Sequence, residues 1–217
     1  MSIEVIIGDD HNIVREGIKE VIERKAKDIK VIGEASNGNE ILNLAKTKPA
    51  DVYIIDITMP ILNGIETTDR LVRMNPKSKI IILSMHNNRN LIEKAFKYGA
   101  KGYILKESDV EEVIHAIREV YMNRFFLSSK ISKFVVHSFL GKKHSSKAVK
   151  ILGQLTRRER EILQLIGEGF DDKEIAIKLN VSLHTAHAHR KSIMRKLDIH
   201  KQADLIRYAL KEGICKL

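Results

Sequence analysis

Two adjacent carboxylates, Asp9 and Asp10, directly follow the apolar run IEVIIG at residues 3–8. If that run forms a strand, both side chains can turn into one crevice at its end. Two such charges about 4 Å apart repel each other by roughly 4 kcal/mol at an effective dielectric near 20. The pair is therefore either solvated or balanced by positive charge, and a bound cation is one way to supply it.

Further polar residues accompany the other apolar runs of the first half of the chain. Asp56 ends the third run and Ser84 ends the fourth. The fifth run contains Tyr103 and ends at Lys106. Because sites in parallel sheets form where the carboxyl ends of strands meet, these side chains are expected to converge with the acidic pair on one edge. Three carboxylates favour a hard cation such as Mg²⁺, which binds carboxylate, water and phosphate oxygens.

Phosphoryl transfer is the chemistry that these side chains suit. The Asp56 carboxylate can act as a nucleophile and form an acyl phosphate. Positioning and charge neutralisation dominate such reactions, and Mg²⁺ together with the Lys106 ammonium would supply the positive charge. The Ser84 hydroxyl can donate a hydrogen bond to a phosphoryl oxygen.

Five short runs rich in Ile and Val alternate with segments of helical spacing in the first half. Such runs suit the strands of a parallel sheet that is buried on both faces. Five strands alternating with five helices predict a three-layer, doubly wound α/β fold. The strands are predicted at residues 3–8, 29–35, 51–56, 79–84 and 102–106.

The spacing from residue 153 onward is wholly helical and predicts four helices. Thr156 and Glu159 form a capping box for the first of them. Asp171 opens the second helix and Ser182 caps the third. The short second helix, a turn and the longer third helix make a helix-turn-helix, whose second helix enters the major groove of DNA.

Side chains that can donate hydrogen bonds are spread along this predicted recognition helix. Its Lys and Arg residues are expected to contact phosphates, which position the protein without reading sequence. The candidate DNA contacts are Thr185, His187, Arg190, Lys191, Arg195 and Lys196.

Charge is distributed unevenly along the 217 residues. Residues 1–124 hold 19 basic and 19 acidic side chains, whereas residues 125–217 hold 19 basic and 9 acidic ones. The whole formal charge of +10 therefore lies in the second half. A nucleic-acid partner explains this asymmetry, and a merely solvated basic surface explains it as well.

The composition also indicates the cellular compartment in which the protein is expected. The single cysteine excludes an intrachain disulfide framework. The first residues lack the basic start of a signal peptide, and no apolar run approaches the ~20 residues needed to cross a bilayer. We therefore expect a soluble cytoplasmic protein without membrane contact.

Several motifs of this chain resemble those of the bacterial response regulators of the NarL/FixJ type, and they occur in the same order as in that family. DDH, DITMPILNG, LSMH and GAKGYILK resemble their receiver domain, and the stretch that begins LTRREREILQLIGEGF resembles their LuxR-type helix-turn-helix domain. The resemblance implies a five-stranded, flavodoxin-like receiver domain and a small four-helix DNA-binding domain. It implies domain boundaries at 1–124 and 153–217, with a linker at 125–152. Within that linker the spacing of apolar residues predicts a helix over about 128–140, and the stretch GKKHSSK at residues 141–147 predicts a flexible tether.

The resemblance also implies roles for individual residues. Asp56 would be the phosphoacceptor. Asp10 would bind Mg²⁺ directly, Asp9 largely through water, and the backbone carbonyl of Thr58 would coordinate as well. Ser84 and Tyr103 would be the switch pair beside Lys106, which completes the phosphoryl-binding set.

The function implied is that of a transcription factor rather than an enzyme, although the receiver would promote its own phosphorylation and dephosphorylation. A sensor histidine kinase would phosphorylate Asp56. Phosphorylation would control dimerisation, DNA binding or both, and so transcription. The expected partners are that kinase, double-stranded DNA and a second copy of the chain on DNA.

Other interpretations remain open at this point. A phosphatase of the haloacid-dehalogenase type also uses an Asp nucleophile and Mg²⁺, but it needs a second Asp where this chain has Thr58. A DNA-binding protein that uses its receiver only as a dimerisation scaffold is the second alternative. The histidines at 184, 187 and 189 suggest a metal site, although no cysteine or acid nearby completes a tetrahedral set.

The chain departs from the LuxR-type pattern at two places, which comprise three positions. This chain has Ala186 and His187 where the family usually has Val-Lys, and Asp172 where it often has Asn. A lost lysine and an added acid are expected to weaken electrostatic attraction to DNA more than they affect the fold.

Overall fold

The computed structural model describes residues 2–85, 87–140 and 155–215. The chain divides into two compact units, a first unit in residues 1–143 and a second unit in residues 144–217. No helix in the described parts of the chain is both long enough and apolar enough to cross a membrane.

The first unit alternates strands with helices, as the hydrophobic runs predict. The strands are β1 (Ile3–Gly8), β2 (Ile29–Ala35), β3 (Val52–Asp56), β4 (Lys79–Ser84), β5 (Gly102–Leu105) and β6 (Phe126–Leu127). The helices are α1 (Asn12–Lys25), α2 (Gly38–Thr47), α3 (Gly64–Met74), α4 (Arg89–Lys97), α5 (Val110–Tyr121) and α6 (Ser129–Leu140).

The strands form one parallel sheet in the order β2-β1-β3-β4-β5-β6. Neighbouring side chains on a strand point to opposite faces, so Ile6 and Ile7 of β1 belong to two different core clusters. The cluster around Ile7 includes residues of α1 and α5, and the cluster around Ile6 includes residues of α2, α3, α4 and α6. Helices thus cover both faces, and the order reverses between β1 and β3, which creates the switch point where sites form.

The sheet has six strands among the described residues, whereas the sequence predicts five. The sixth is only two residues long, too short to show the alternation or the apolar run that marks a strand in a sequence. Phe126 N–H donates to the Lys101 carbonyl at 2.9 Å, and Ser128 N–H donates to the Tyr103 carbonyl at 3.0 Å. These two bonds attach the segment to the edge of β5.

The segment after residue 124 therefore packs on the first unit as far as it is described. Helix α6 occupies the span where a helix is predicted, and Ile131 on it is fully buried in the core beside Tyr103. The tether predicted around residues 141–147 lies outside the described residues.

The second unit is helical. Its helices are α7 (Arg157–Gly167), α8 (Asp172–Leu179), α9 (Leu183–Leu197) and α10 (Gln202–Lys211). The predicted capping box at Thr156 and Glu159 is present, and Asp171, which is predicted to open α8, forms a second capping box with Glu174. Ser182 caps α9, and Asn180 ends α8 in the left-handed conformation at φ 51°. The helix-turn-helix predicted from the sequence is confirmed as α8, a short turn and α9.

Glu159 links α7 to α9 within this unit. Its side chain is buried and accepts hydrogen bonds from Thr156 N–H, from the Ser192 hydroxyl and from Lys196 Nζ, each at 2.7 Å. Burial alone would raise the pKa of Glu159, but these bonds outweigh burial and lower the pKa to about 2. The ionised carboxylate therefore stabilises the packing of α9 on α7.

We predict that Glu159→Gln lowers the stability of the second unit in a pH-dependent way. A folded-state pKa near 2 against an unfolded value of 4.5 corresponds to roughly 3 kcal/mol. That stabilisation is complete above the unfolded pKa and disappears as pH falls toward 2. Urea denaturation of the full chain at pH 7 and at lower pH, followed by the methyl signals of Ile162 and Ile166, measures it.

Glu174→Gln is the matched control, because Glu174 holds the same capping-box position on α8 but is exposed. Glutamine serves a capping box as well as glutamate does, so we expect this control to change stability by under about 0.5 kcal/mol. Equal destabilisation by the two variants at pH 7 would contradict the role given to Glu159.

Candidate functional site

The predicted acidic residues meet at the carboxyl ends of β1 and β3. Asp9 and Asp10 directly follow β1, and Asp56 is the last residue of its neighbour β3. Ligand atoms of Asp9, Asp10, His11 and Asp56 all lie within 4.8 Å of one another. The carboxylates that the sequence places at strand ends therefore form one cluster.

Lys106 supplies the positive charge that this cluster needs. Its Nζ lies 2.6 Å from Asp9 Oδ2 and 3.0 Å from Asp56 Oδ2, and only 7% of its side chain is exposed. The backbone N–H of Lys106 donates to the Ser84 carbonyl at 2.8 Å, which fixes where the side chain begins. The ammonium thus offsets the repulsion between two buried carboxylates.

Burial and charge shift the pKa values of this pair. Burial raises the pKa of Asp56, and nearby Asp9 raises it further, although Lys106 opposes both effects. Burial would lower the pKa of Lys106, but Asp56 and Asp9 outweigh burial and raise it. The Lys106 ammonium therefore stays charged, and additional positive charge at the cluster would favour the ionised form of Asp56.

The donor set fits Mg²⁺. Three carboxylates offer hard oxygen ligands, and burial raises the pKa of Asp56 even beside Lys106, so a further cation would favour its ionised form. Thr58 lies two residues after Asp56, and its hydroxyl donates to Asp56 Oδ2 at 3.3 Å. His11 Nδ1 lies 3.0 Å from Asp9 Oδ1 and 3.0 Å from Asp10 Oδ1, which fixes the two carboxylates relative to each other.

His11 is the residue of this cluster that sequence reasoning missed. It stands directly after the acidic pair in the motif DDH, so its position was visible in the sequence. The signal is weak, because the residue begins the turn into α1 and nothing in the spacing shows which way its ring points. In the structure its backbone N–H also donates to Asp9 Oδ1, at 2.9 Å.

The loop after β3 brings the start of α3 against Asp56. A Cβ on Gly64 would lie 2.1 Å from the Asp56 carbonyl oxygen, so only glycine permits this approach. Gly64 N–H donates to the Ile57 carbonyl at 2.8 Å and closes the loop. Within the loop Ile61 adopts φ 68°, an unfavourable conformation for a β-branched residue. The loop that follows the candidate nucleophile is therefore tightly held, and its strained residue is Ile61.

Ser84 and Tyr103 lie on the adjacent strands β4 and β5, and both are fully buried. Burial raises the pKa of Tyr103 to about 12, a hydrogen bond with Ser84 opposes that shift, and the Asp56 carboxylate adds to it. The predicted switch pair is thus in contact, and the tyrosine ring occupies an inward position.

The predicted DNA contacts on α9 fall into two groups. Lys191 and Arg195 are exposed, together with His184 and Ala188, and the spacing of these four residues makes one continuous stripe along the helix. Lys196 instead points toward α7, where it pairs with Glu159. The stripe includes His184, which is not among the predicted DNA contacts and was considered only as a metal ligand. The i, i+4, i+7, i+11 spacing of the four residues was visible in the sequence.

The remaining candidates are engaged in contacts of their own. The Thr185 hydroxyl lies 2.8 Å from the Ser182 hydroxyl at the start of α9. Asp172 Oδ2 lies 3.0 Å from His187 Nδ1 and 2.8 Å from Arg190 Nη2. Two of the positions that depart from the LuxR-type pattern, 172 and 187, therefore contact each other across the helix-turn-helix.

Comparison with known proteins matches both units. Residues 5–118 match the family described as response regulator receiver domain, and residues 153–209 match the bacterial regulatory proteins of the luxR family. Oxygen regulatory protein NreC of Staphylococcus haemolyticus (strain JCSC1435) is 35% identical over 217 residues, which cover 97% of this chain and 98% of that one.

Two solved structures of RcsB are similar along nearly the whole chain. The first is RcsB from Salmonella enterica serovar Typhimurium, bound to promoter P1flhDC in the presence of the phosphomimetic BeF3⁻. It is 28% identical to this chain with a TM-score of 0.64, and the match covers 96% of this chain and 98% of the RcsB chain. A structure of two RcsB dimers bound to two parallel DNAs is 29% identical with a TM-score of 0.59 and covers the same shares. The chain thus belongs to the response regulators that join a receiver domain to a DNA-binding domain of the luxR family.

Proposed function

We propose that this response regulator is switched by phosphorylation of Asp56 and that α9 is the helix that contacts DNA. The observation that carries the proposal is the Lys106 ammonium, held 2.6 Å from Asp9 and 3.0 Å from Asp56. A buried cation beside a buried carboxylate at a switch point suits a group that gains negative charge.

The reaction is a transfer from a sensor histidine kinase to this chain. The Asp56 carboxylate attacks the phosphorus of the kinase's phosphohistidine, so that a P–O bond forms as the P–N bond breaks. Lys106 neutralises the charge of the transferred group. Mg²⁺, held by Asp9, Asp10, Asp56 and the Thr58 carbonyl, would neutralise phosphoryl oxygens when bound. The chain acts as phosphoacceptor rather than as an enzyme on a separate substrate.

The Ser84 hydroxyl and the Lys106 ammonium are the groups that would bind the phosphoryl oxygens. Two hydrogen bonds to a charged group contribute about 3–6 kcal/mol together, against the ~5.5 kcal/mol that moves a two-state equilibrium from 1:99 to 99:1. Lys106 already pairs with two carboxylates, so the free energy that it gains by binding a phosphoryl oxygen lies at the lower end of that range. We therefore expect some activity without phosphorylation.

The second unit binds double-stranded DNA in this proposal, as a homodimer whose two copies of α9 occupy neighbouring half-sites. Support comes from the helix-turn-helix, from the exposed Lys191 and Arg195, and from the RcsB dimers bound to DNA. The protein would act in the cytoplasm, where it reaches the chromosome. Phosphorylation would control dimerisation, DNA binding or both.

Asp56→Asn is expected to abolish phosphorylation and leave the fold intact, because the amide fills the same volume but is not a nucleophile. Incubation with acetyl phosphate and Mg²⁺, followed by intact-mass measurement, checks this. Asp109→Asn is the control, since Asp109 is exposed and its side chain makes no capping bond. A phosphoryl adduct on the Asp56 variant would overturn the assignment, and no adduct on the wild type would favour a receiver used only as a scaffold.

Lys106→Met is expected to lower the unfolding free energy of the first unit by about 3 kcal/mol, because it leaves two buried carboxylates without their cation. Millimolar Mg²⁺ is expected to restore part of that loss by binding only the folded state. Urea denaturation with and without Mg²⁺, read from isoleucine methyl signals of the first unit, gives both quantities. Lys77→Met, in an exposed turn, is the control, and an equally small effect of both substitutions would refute this role of Lys106.

Lys191→Gln and Lys196→Gln are expected to affect DNA binding differently, although the two residues are close in sequence. Lys191 is exposed, so its loss is expected to reduce the salt slope of binding by about 0.9, the increment for one phosphate. Lys196 pairs with Glu159, so its loss is expected to lower stability and leave the slope unchanged. Fluorescence anisotropy over a KCl series decides, and equal slopes for the two variants would contradict the orientation of α9.

A further inference from the structure

Asp172, at the start of α8, is an acidic side chain that contacts two of the candidate DNA-binding residues of α9, His187 and Arg190. Its Oδ2 lies 2.8 Å from Arg190 Nη2 and 3.0 Å from His187 Nδ1. Arg190 Nη1 also donates to Gln202 Oε1 of α10 at 3.0 Å, and only 21% of the Arg190 side chain is exposed. The guanidinium is thus bound from both neighbouring helices.

Asp172 Oδ2 contacts both His187 and Arg190, and these two side chains also contact each other. His187 Nδ1 lies 3.1 Å from Arg190 Nη2, and a ring nitrogen can either donate or accept a hydrogen bond. With its proton on Nδ1 the ring donates to Asp172, and without that proton it accepts from Arg190. The 2.8 Å contact between Asp172 and Arg190 joins two charged groups and does not require a proton on His187.

Lys191 and Arg195 stand in a different situation. Both are exposed, and no acidic side chain among the described residues of the second unit pairs with either of them. When a side-chain cation without a carboxylate partner neutralises a DNA phosphate, the DNA releases one of its condensed counterions. A cation that is already paired with a carboxylate contributes less to this release and therefore less to the affinity for DNA. The charge of Arg190 is already compensated by Asp172.

We infer that Asp172 is a charge-compensating residue that withholds Arg190 from the phosphate backbone and so weakens the binding of α9 to DNA of any sequence. The inference rests on the proposed DNA-binding role of α9. A single DNA-binding unit then binds weakly, and occupancy depends on a second copy at the neighbouring half-site, since linked sites multiply their affinities. Asp172 would thereby make the output sensitive to dimerisation.

The test is Asp172→Asn in the full chain. Asparagine still offers an oxygen to Arg190, so the variant removes charge and keeps the hydrogen bond. Binding to a fluorescein-labelled duplex of mixed sequence is measured by anisotropy over a KCl series. We expect the salt slope to steepen by about 0.9 and the affinity at about 0.15 M salt to rise about fivefold, the effect of one additional phosphate contact. Asp172→Ser, which also removes the charge, is expected to give the same steepening.

Asp198→Asn is the matched control. It removes the same charge from the same unit, but the side chain is 95% exposed and the residue lies just past the end of α9, about 12 Å beyond Arg190 along the helix axis. Asp198 has φ 55°, a conformation that asparagine tolerates, so the fold is kept. We expect its salt slope to equal that of the wild type.

Two outcomes would count against the inference. A wild-type slope in both Asp172 variants, with normal binding by the wild-type chain, would overturn it and leave the proposed DNA-binding function standing. A wild-type chain without salt-dependent binding to DNA would overturn the proposed function and the inference together.

Discussion

The ion pairing of one lysine with two buried carboxylates is the constraint on which the first unit depends. Asp9 and Asp56 are buried at the ends of neighbouring strands, where their mutual repulsion is weakly screened. Lys106 arrives from β5, two strands away from β3, and places its ammonium between them. The order of the strands therefore also places the lysine where it offsets the repulsion between the carboxylates at this edge.

The surrounding structure fixes the distances within this group. The absence of a side chain at Gly64 lets α3 approach Asp56, and a hydrogen bond from Lys106 N–H to the Ser84 carbonyl sets the start of the lysine side chain. Ser84 and Tyr103 occupy the two strands that lie between Asp56 and the edge. A charge change at Asp56 thus acts on side chains that are already packed and hydrogen-bonded, which leaves few ways to relax.

Much of the first unit could be predicted from sequence because β1 to β5 are apolar runs and four of them, all but β2, end at or just before a polar residue of the site. Asp9, Asp10, Asp56 and Lys106 meet as expected, since chain position alone places them on one edge. The two-residue strand β6 could not be predicted, because its pairing is a tertiary contact with β5 rather than a local pattern. His11 joins the cluster through the orientation of its ring, which spacing does not encode.

In the second unit, sequence reasoning predicted the helices and their caps but not which way each charged residue points. Lys196 and Lys191 are five positions apart on one helix, and yet one lies against Glu159 and the other is exposed. The contact between Asp172 and His187 joins two positions that looked like unrelated departures. Such pairings depend on how α8 and α9 cross, a quantity that no periodicity within either helix determines.

The short strand β6 has a practical consequence for any fragment of this protein. A receiver cut after residue 124, where the charge balance and the resemblance both place a boundary, would lose the hydrogen bonds to the Lys101 and Tyr103 carbonyls. The edge of β5 would then be open to pairing with another chain, and the site filled by Ile131 would become an apolar surface. Self-association of such a truncated receiver would then reflect an unpaired sheet edge rather than the dimerisation proposed for the intact regulator.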